Sequence, residues 1–344
     1  MQALKTRTRQ DAIDAGNLSE LLDDYIAECF EKLKYRSAYN YKLSLAPFRA
    51  FWAFDGPAHG HKLDKQTFVR FDAWILQEYR NCEGNKASAW TRDRTGRLLG
   101  QFCAWLYREG CTGFDLSAWV VRHKAAPVAQ YWPPLADLQR MFDRAPQGQY
   151  HMRDAACLAF LLATGCRRME VAALTVENVH FDTPVTNLDV GGKHGGWAQL
   201  DVTKGGKQRV VVFCSKAGLL LKCWLRASNT TTGNVFGLGD AGLRLSLLHI
   251  TDAAGIPEMT PHAARRAWMD FYADKHAADP LAYAIGKLQL GHALSRDVTA
   301  AHYINLQHAG RILERLRTYY VSPLDGVTID WISFPVHIPQ EQAL

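Results

Sequence analysis

Apolar positions recur at helical spacing near the start of the chain: Leu18, Leu21, Leu22, Tyr25, Ile26, Cys29 and Phe30. That is the i, i+3, i+4 stripe of an amphipathic helix, and Asn17 with Glu20 reads as a variant capping box at its head. A second stripe, Tyr41, Leu45, Phe48 and Phe51, predicts a helix opening near Ser37. Pro47 should kink or divide it, because proline donates no hydrogen bond and its ring meets the preceding turn. Asp64 opens a third helix with Phe68, Phe71 and Ile75 inward, and a fourth over 88–108 buries Leu98, Leu99, Phe102, Trp105 and Leu106. Four helices on short connections predict a bundle over residues 1–121.

The periodicity then stops. Residues 122–134 (RHKAAPVAQYWPP) have linker composition. Leu135, Leu138, Met141 and Phe142 mark a helix behind the prolines, and 153–164 marks another. The period switches to two where Ala198, Leu200 and Val202 alternate with Gln199 and Asp201, and 210–213 is a second β-rich run. Lys204-Gly205-Gly206-Lys207 lies between them, so a hairpin with a Gly-Gly turn is expected. Helical patterns resume from Lys216 and last to about Tyr320; an apolar tail with Trp331, Ile332, Phe334, Val336 and Ile338 follows. The expected fold class is mainly α with a small β-hairpin, divided into 1–121, a linker over 122–134, a second domain over 135–320 and a tail over 321–344.

Composition narrows the class. With 344 residues, 48% of them hydrophobic and 11% aromatic, the chain is long enough for two globular cores. No stretch approaches the roughly 20 apolar residues of a membrane helix, and residues 1–10 are basic without an apolar signal core. A cytoplasmic protein with no membrane partner is expected. The eight cysteines form no CxxC pair and have no zinc-spaced histidine partners, so they read as reduced, mostly buried thiols. A formal charge of +6 is too small to establish nucleic-acid affinity by itself.

The chemistry concentrates in the second half. His262-Ala263-Ala264-Arg265, Leu290-Gly291-His292 and Tyr303 are preceded by Thr164-Gly165-Cys166-Arg167. Two guanidinium groups, two imidazoles and a phenol suit chemistry on a phosphodiester, where charge accumulates on nonbridging oxygens and positioned donors dominate. Each motif alone is common; their order is informative. The chain resembles the tyrosine recombinase, or phage integrase, family. Thr164 to Glu170 reads as its TGxRxxE segment, Lys204 occupies the lysine position of its β-hairpin GKGxKxR, His262 to Arg265 its HxxR, Leu290 to His292 its LGH, and Tyr303 its nucleophile. The resemblance covers about residues 134–320, and the N-terminal bundle more loosely, mainly through 88–110.

The resemblance implies a SAM-like helical core-binding domain ahead of an α+β catalytic domain. It further implies strand cleavage and rejoining through a 3′-phosphotyrosine on Tyr303 with no metal, nucleotide or other cofactor. Arg167 and Arg265 would fork onto the phosphate, His262 and His292 would add hydrogen bonds or move a proton, and Lys204 would protonate the leaving 5′-oxygen. Lys193 and Lys207 are rivals for that last role, and Tyr319 and Tyr320 for the nucleophile. Glu170 is expected to brace Arg167 or a histidine; Arg168 and Arg266 are read as DNA-backbone or surface residues. One departure is that Tyr303 lies a couple of residues farther from His292 than is usual, so the loop over 293–297 is extended.

Double-stranded DNA recombination sites are the implied partner, with four protomers in the synapse and a monomer or weak oligomer off DNA. Basic residues of the first domain, Lys32, Lys34, Arg36, Lys42, Arg92, Arg94 and Arg97, are candidate DNA contacts. About 17 residues precede the first helix, too few for an added arm-binding module, so simple core sites are expected. The tail is expected to dock on a neighbouring protomer. Competing readings are a type IB topoisomerase or telomere resolvase, and a DNA-binding architectural protein that has lost catalysis.

Overall fold

A computed structural model describes residues 18–60, 63–124, 126, 131, 133–145, 151–184, 193–201, 208–292 and 309–330. The chain forms two compact units, 1–128 and 129–344. The described residues are mainly helical, with one three-stranded antiparallel sheet in the second unit. None of their helices is long and apolar enough to cross a membrane.

The first unit holds α1 (Leu18–Lys32), α2 (Tyr35–Asp55), α3 (Lys65–Gln77) and α4 (Ala89–Arg108). Their apolar stripes meet in one core around Leu21, Leu45, Phe48, Phe51, Phe68, Phe102 and Trp105. Asp64 starts α3 with a reciprocal capping box to Thr67, and the Ser88 hydroxyl accepts from the Thr91 amide to start α4. Asn17, the expected cap of α1, lies outside the described residues. Pro47 does not divide α2, which runs through it. The missing hydrogen bond is offset because only a continuous helix keeps Leu45, Phe48, Phe51 and Trp52 in register on the buried face. Two buried polar groups are paired across the bundle: Arg70 Nε donates to both carboxylate oxygens of Asp55 at 3.1 and 3.0 Å, and Trp105 Nε1 donates to Glu28 at 2.7 Å.

The second unit contains α5 (Leu135–Arg144), α6 (His151–Thr164), α7 (Arg168–Ala172), β1 (Val179–Phe181), β2 (His194–Leu200), β3 (Arg209–Cys214), α8 (Ser215–Ala227), α9 (Asp240–Ala253), α10 (Pro261–Lys275), α11 (Pro280–Gln289) and α12 (Ala309–Tyr319). Helix α6 is its axis: residues 154–164 are all buried, so an apolar run without a polar face becomes a core helix. The sheet order is β1-β2-β3, with Val179 opposite Ala198 and Leu200 opposite Arg209. Strand β1 is an addition to the expected hairpin, whose turn lies outside the described residues. The outer edge of β3 is covered by a side chain, since Gln289 accepts from the Val212 amide at 3.1 Å and donates to the Val212 carbonyl at 2.8 Å.

The cysteines at 29, 103, 111, 157, 166, 214 and 223 are buried thiols in no disulfide; Cys82 is an exposed thiol, likewise in none. Of the expected tail, residues 321–330 pack into the unit's own core. Leu324, Val327 and Ile329 are buried there, Tyr320 donates to the Ala163 carbonyl at 2.8 Å, and Lys216 Nζ donates to the carbonyls of Leu324 at 2.9 Å and Val327 at 2.5 Å. Residues from Trp331 onward lie outside the described residues.

Candidate active site

Helix α6 stops at Thr164 because Gly165 turns left-handed, with φ 61°. Arg167 then becomes the N-cap of α7, and its backbone N–H donates to the Glu170 carboxylate at 2.7 Å while its guanidinium Nη1 reaches the other oxygen at 2.9 Å. The TGxR spacing thus delivers the arginine from a sharp helix-to-helix turn, and the glutamate one turn on holds it.

Thr260 caps α10 by accepting from the Ala263 amide, with Pro261 at the first helical position. His262 follows on the exposed side of that first turn, whereas Arg265, three residues later, points inward and is only 6% exposed. Its guanidinium donates to the Gly165 carbonyl at 2.8 Å, to the Leu290 carbonyl at 2.6 Å, and toward His292 Nε2 at 3.1 Å. The HxxR, TGxR and LGH segments, far apart in sequence, converge on one side chain. Gly291, left-handed at φ 68°, ends α11 and presents His292.

Glu170 is 2% exposed and accepts from two arginines, Arg167 and, at 2.6 Å, Arg209 at the start of β3. Burial pushes its carboxyl up, but the Arg209 charge and hydrogen bond, followed by the backbone and side-chain hydrogen bonds of Arg167, outweigh it and hold the group below the usual carboxylate range. Glu170 therefore braces two arginines, and no histidine bonds to it among the described residues. Three guanidinium groups, of Arg167, Arg209 and Arg265, surround this single carboxylate, which leaves the site positive. Burial, then the Arg167 and Arg209 charges, lower the Arg265 guanidinium to about 10, still cationic at neutral pH.

The histidines are held neutral. Loss of solvent around its ring, then the charges of Arg266, Arg265 and Arg167, lower His262. His292 is lowered by burial, then by Arg265, Arg167, Arg209 and Lys287. Since a guanidinium only donates, His292 Nε2 must be the acceptor in its contact with Arg265, which leaves Nδ1 to carry the proton. The arrangement offers an anion two forked cations, with two neutral imidazoles beside them.

Lys204, Lys207 and Tyr303 lie outside the described residues. Of the alternative nucleophiles, Tyr320 is fully buried and donates to the Ala163 carbonyl, and the Tyr319 carbonyl contacts His276 at 2.9 Å. Arg168 pairs with Asp240. In the first unit, Lys32, Lys34, Arg36, Lys42 and Arg97 are exposed, and Lys32 pairs with Glu28. Arg94 lies over the Trp90 ring at 5.0 Å, and Arg92 lines a small cavity with Asp72, Gly96, Val121 and His123. Sequence reasoning missed Arg209 and Gln289. The only signal for Arg209 is that it closes the GKGxKxR pattern; Gln289 carries none.

Residues 135–308, just over half of the chain, match the phage integrase family. The tyrosine recombinase XerC of Mycobacterium tuberculosis (strain ATCC 25177 / H37Ra) is 29% identical over 264 residues, covering 71% of this chain and 81% of that protein. XerC of Mycobacterium sp. (strain JLS) is 26% identical over 251 residues, covering 67% and 78%. In fold the chain is similar to a lambda integrase tetramer bound to a Holliday junction, with TM-score 0.58, 13% identity and coverage of 80% and 77%. It is also similar to the XerH site-specific recombinase bound to difH, with TM-score 0.54, 15% identity and coverage of 86% and 84%. The extent of the family match, and the convergence of its motifs around Arg265, mean that the chain belongs to the phage integrase family and is a tyrosine recombinase.

Proposed function

We propose that Tyr303 attacks a DNA phosphorus held by Arg167 and Arg265, forming a 3′-phosphotyrosine and releasing a 5′-hydroxyl that later attacks the phosphotyrosine to rejoin a strand. The P–O bond broken is matched by the P–O bond formed, so the exchange is close to isoenergetic. His292 and His262 supply hydrogen bonds and proton movement beside the phosphate, and Lys204 protonates the leaving oxygen. The observation that carries this reading is the Arg265 side chain, whose donors tie together the TGxR and LGH segments.

The substrates are two double-stranded DNA sites exchanged by four protomers, one pair of strands at a time. The unit over 1–128 clamps the DNA through Lys32, Lys34, Arg36, Lys42, Arg94 and Arg97, with Arg92 as a more sheltered contributor. Residues from 331 onward dock on a neighbouring protomer. The test uses full-length protein and a randomised pool of nicked duplexes, from which covalent adducts are captured in denaturing detergent. An adduct formed by wild type and lost in Tyr303→Phe is expected. Retained DNA binding with no adduct would make the protein a binder instead.

A further inference from the structure

Arg209 begins β3, directly after the segment that carries Lys204. Its side chain is 11% exposed; Nη2 donates to Glu170 at 2.6 Å and Nη1 donates to the Gln289 carbonyl. Nε is buried with no hydrogen-bond partner among the described residues. Gly291 leaves room for this side chain, since a Cβ there would stand 2.7 Å from Arg209 Cδ and Nε. One group therefore touches the glutamate that holds Arg167 and the two residues flanking Leu290, whose carbonyl receives Arg265.

We infer that Arg209 is a positioning residue for strand cleavage, locking β3, the strand that follows the Lys204 segment in sequence, to the Arg167 and His292 segments through one guanidinium. This rests on the proposed phosphotyrosine reading. Sharing Glu170 between two arginines leaves Arg167 with charge to spend on a phosphate. Without Arg209, the buried carboxylate draws on Arg167 alone, and the turn over 289–292 keeps only the Gln289–Val212 hydrogen bonds to β3. Lysine cannot reproduce the fork that serves Glu170 and Gln289 together.

The probe is the duplex recovered as a covalent adduct with wild-type protein from the randomised pool. Its binding and single-turnover cleavage are measured for Arg209→Lys, Arg209→Gln and Arg209→Gln combined with Glu170→Gln. Arg209→Gln should bind within about 3-fold of wild type yet cleave about 100-fold more slowly, the cost of a small misplacement at a reacting centre. Arg209→Lys should lose about 10-fold. The double variant removes the unpaired carboxylate and should regain folding without regaining rate.

The groups facing His292 are Arg265 of α10, Arg167 at the head of α7, Lys287 of α11 and Arg209 of β3. Removing the last should move the acid limb of cleavage to higher pH in Arg209→Gln and leave it in place in Arg209→Lys, a shift that a folding defect would not produce. Wild-type rate and pH profile in folded Arg209→Gln would overturn the inference while leaving the phosphotyrosine reading intact. Absence of any adduct with wild type would overturn both.

Discussion

Arg265 donates through Nη2 toward His292 Nε2 at 3.1 Å, and the same nitrogen donates to the Leu290 carbonyl at 2.6 Å. A protonated imidazole would have no lone pair to offer there. The contact selects a neutral ring with its proton on Nδ1, in the same direction as the lowering of His292 by burial and by four cations. Nitrogen-detected NMR of His292 should therefore show the Nδ1–H tautomer at pH 7 and a titration below the ordinary value of about 6.5. Because the folded state resists protonation, His292 adds stability that is present above about 6.5 and lost as the pH falls through its lowered folded value. A titration at or above 6.5 would break the link between this hydrogen bond and the tautomer.

Arg265→Lys should be far from conservative. An ammonium cannot serve the Gly165 and Leu290 carbonyls while also facing His292. Cleavage should fall by at least about 100-fold, as for loss of one preorganised donor, and stability by about 1–3 kcal/mol from the buried carbonyls left unmade. A cleavage rate within about 10-fold of wild type would show that the charge suffices without the fork.

Glycine scanning separates backbone strain from site packing. Gly165 and Gly291 are both left-handed, and a Cβ would stand 2.6 Å from Leu290 at the first and 2.7 Å from Arg209 at the second. Gly255 has the same hand at φ 61°, with nothing within 4 Å of a built Cβ. Gly255→Ala should cost only the conformational term of about 1–2 kcal/mol and keep cleavage. Gly165→Ala and Gly291→Ala should cost more in thermal unfolding and lose cleavage as well. Equal costs at all three positions would mean that the neighbours yield freely.

Much of this was legible in the sequence where the signal is local. The stripes of α1, α3 and α4, the fully apolar run of α6 and the motif order need only neighbouring residues. Pro47 misled because a local breaker was weighed without the buried face that overrides it. Strand β1 spans three residues, too few to show alternation, and exists through its register with β2. Arg209 is paired with Glu170, 39 positions away, and with Gln289, 80 positions away. No spacing rule reaches that far. The packing of the tail's start was invisible for the same reason: Leu324 and Val327 join the core only once α6 and Lys216 are placed against them.

That boundary decides how the tail should be tested. Truncation after Tyr320 would remove Leu324, Val327 and Ile329 from the core together with the acceptors of Lys216. At about 1.5–3 kcal/mol for each buried side chain, the loss is on the order of 5 kcal/mol, comparable with the whole stability of a domain. Truncation after Asp330 spares all of these. The shorter deletion should melt like full-length protein, bind a single DNA site and fail to assemble paired sites; the longer one should melt early. Normal assembly by the protein ending at Asp330 would remove the docking role of the tail.

Salt dependence tests the clamp of the first unit. Arg97 is exposed and Arg94 is held over Trp90, whereas Arg92 faces Asp72 and His123 across a cavity within the unit. Each phosphate contact removed should flatten the slope of log affinity against log salt by about 0.9. Arg94→Ala with Arg97→Ala should therefore lower the slope by about 2, and Arg92→Ala should change the melting temperature more than the slope. The measurement is binding of the selected duplex at several salt concentrations. An unchanged slope in the double variant would remove these two arginines from the DNA surface, while leaving the chemistry around Arg265 untouched.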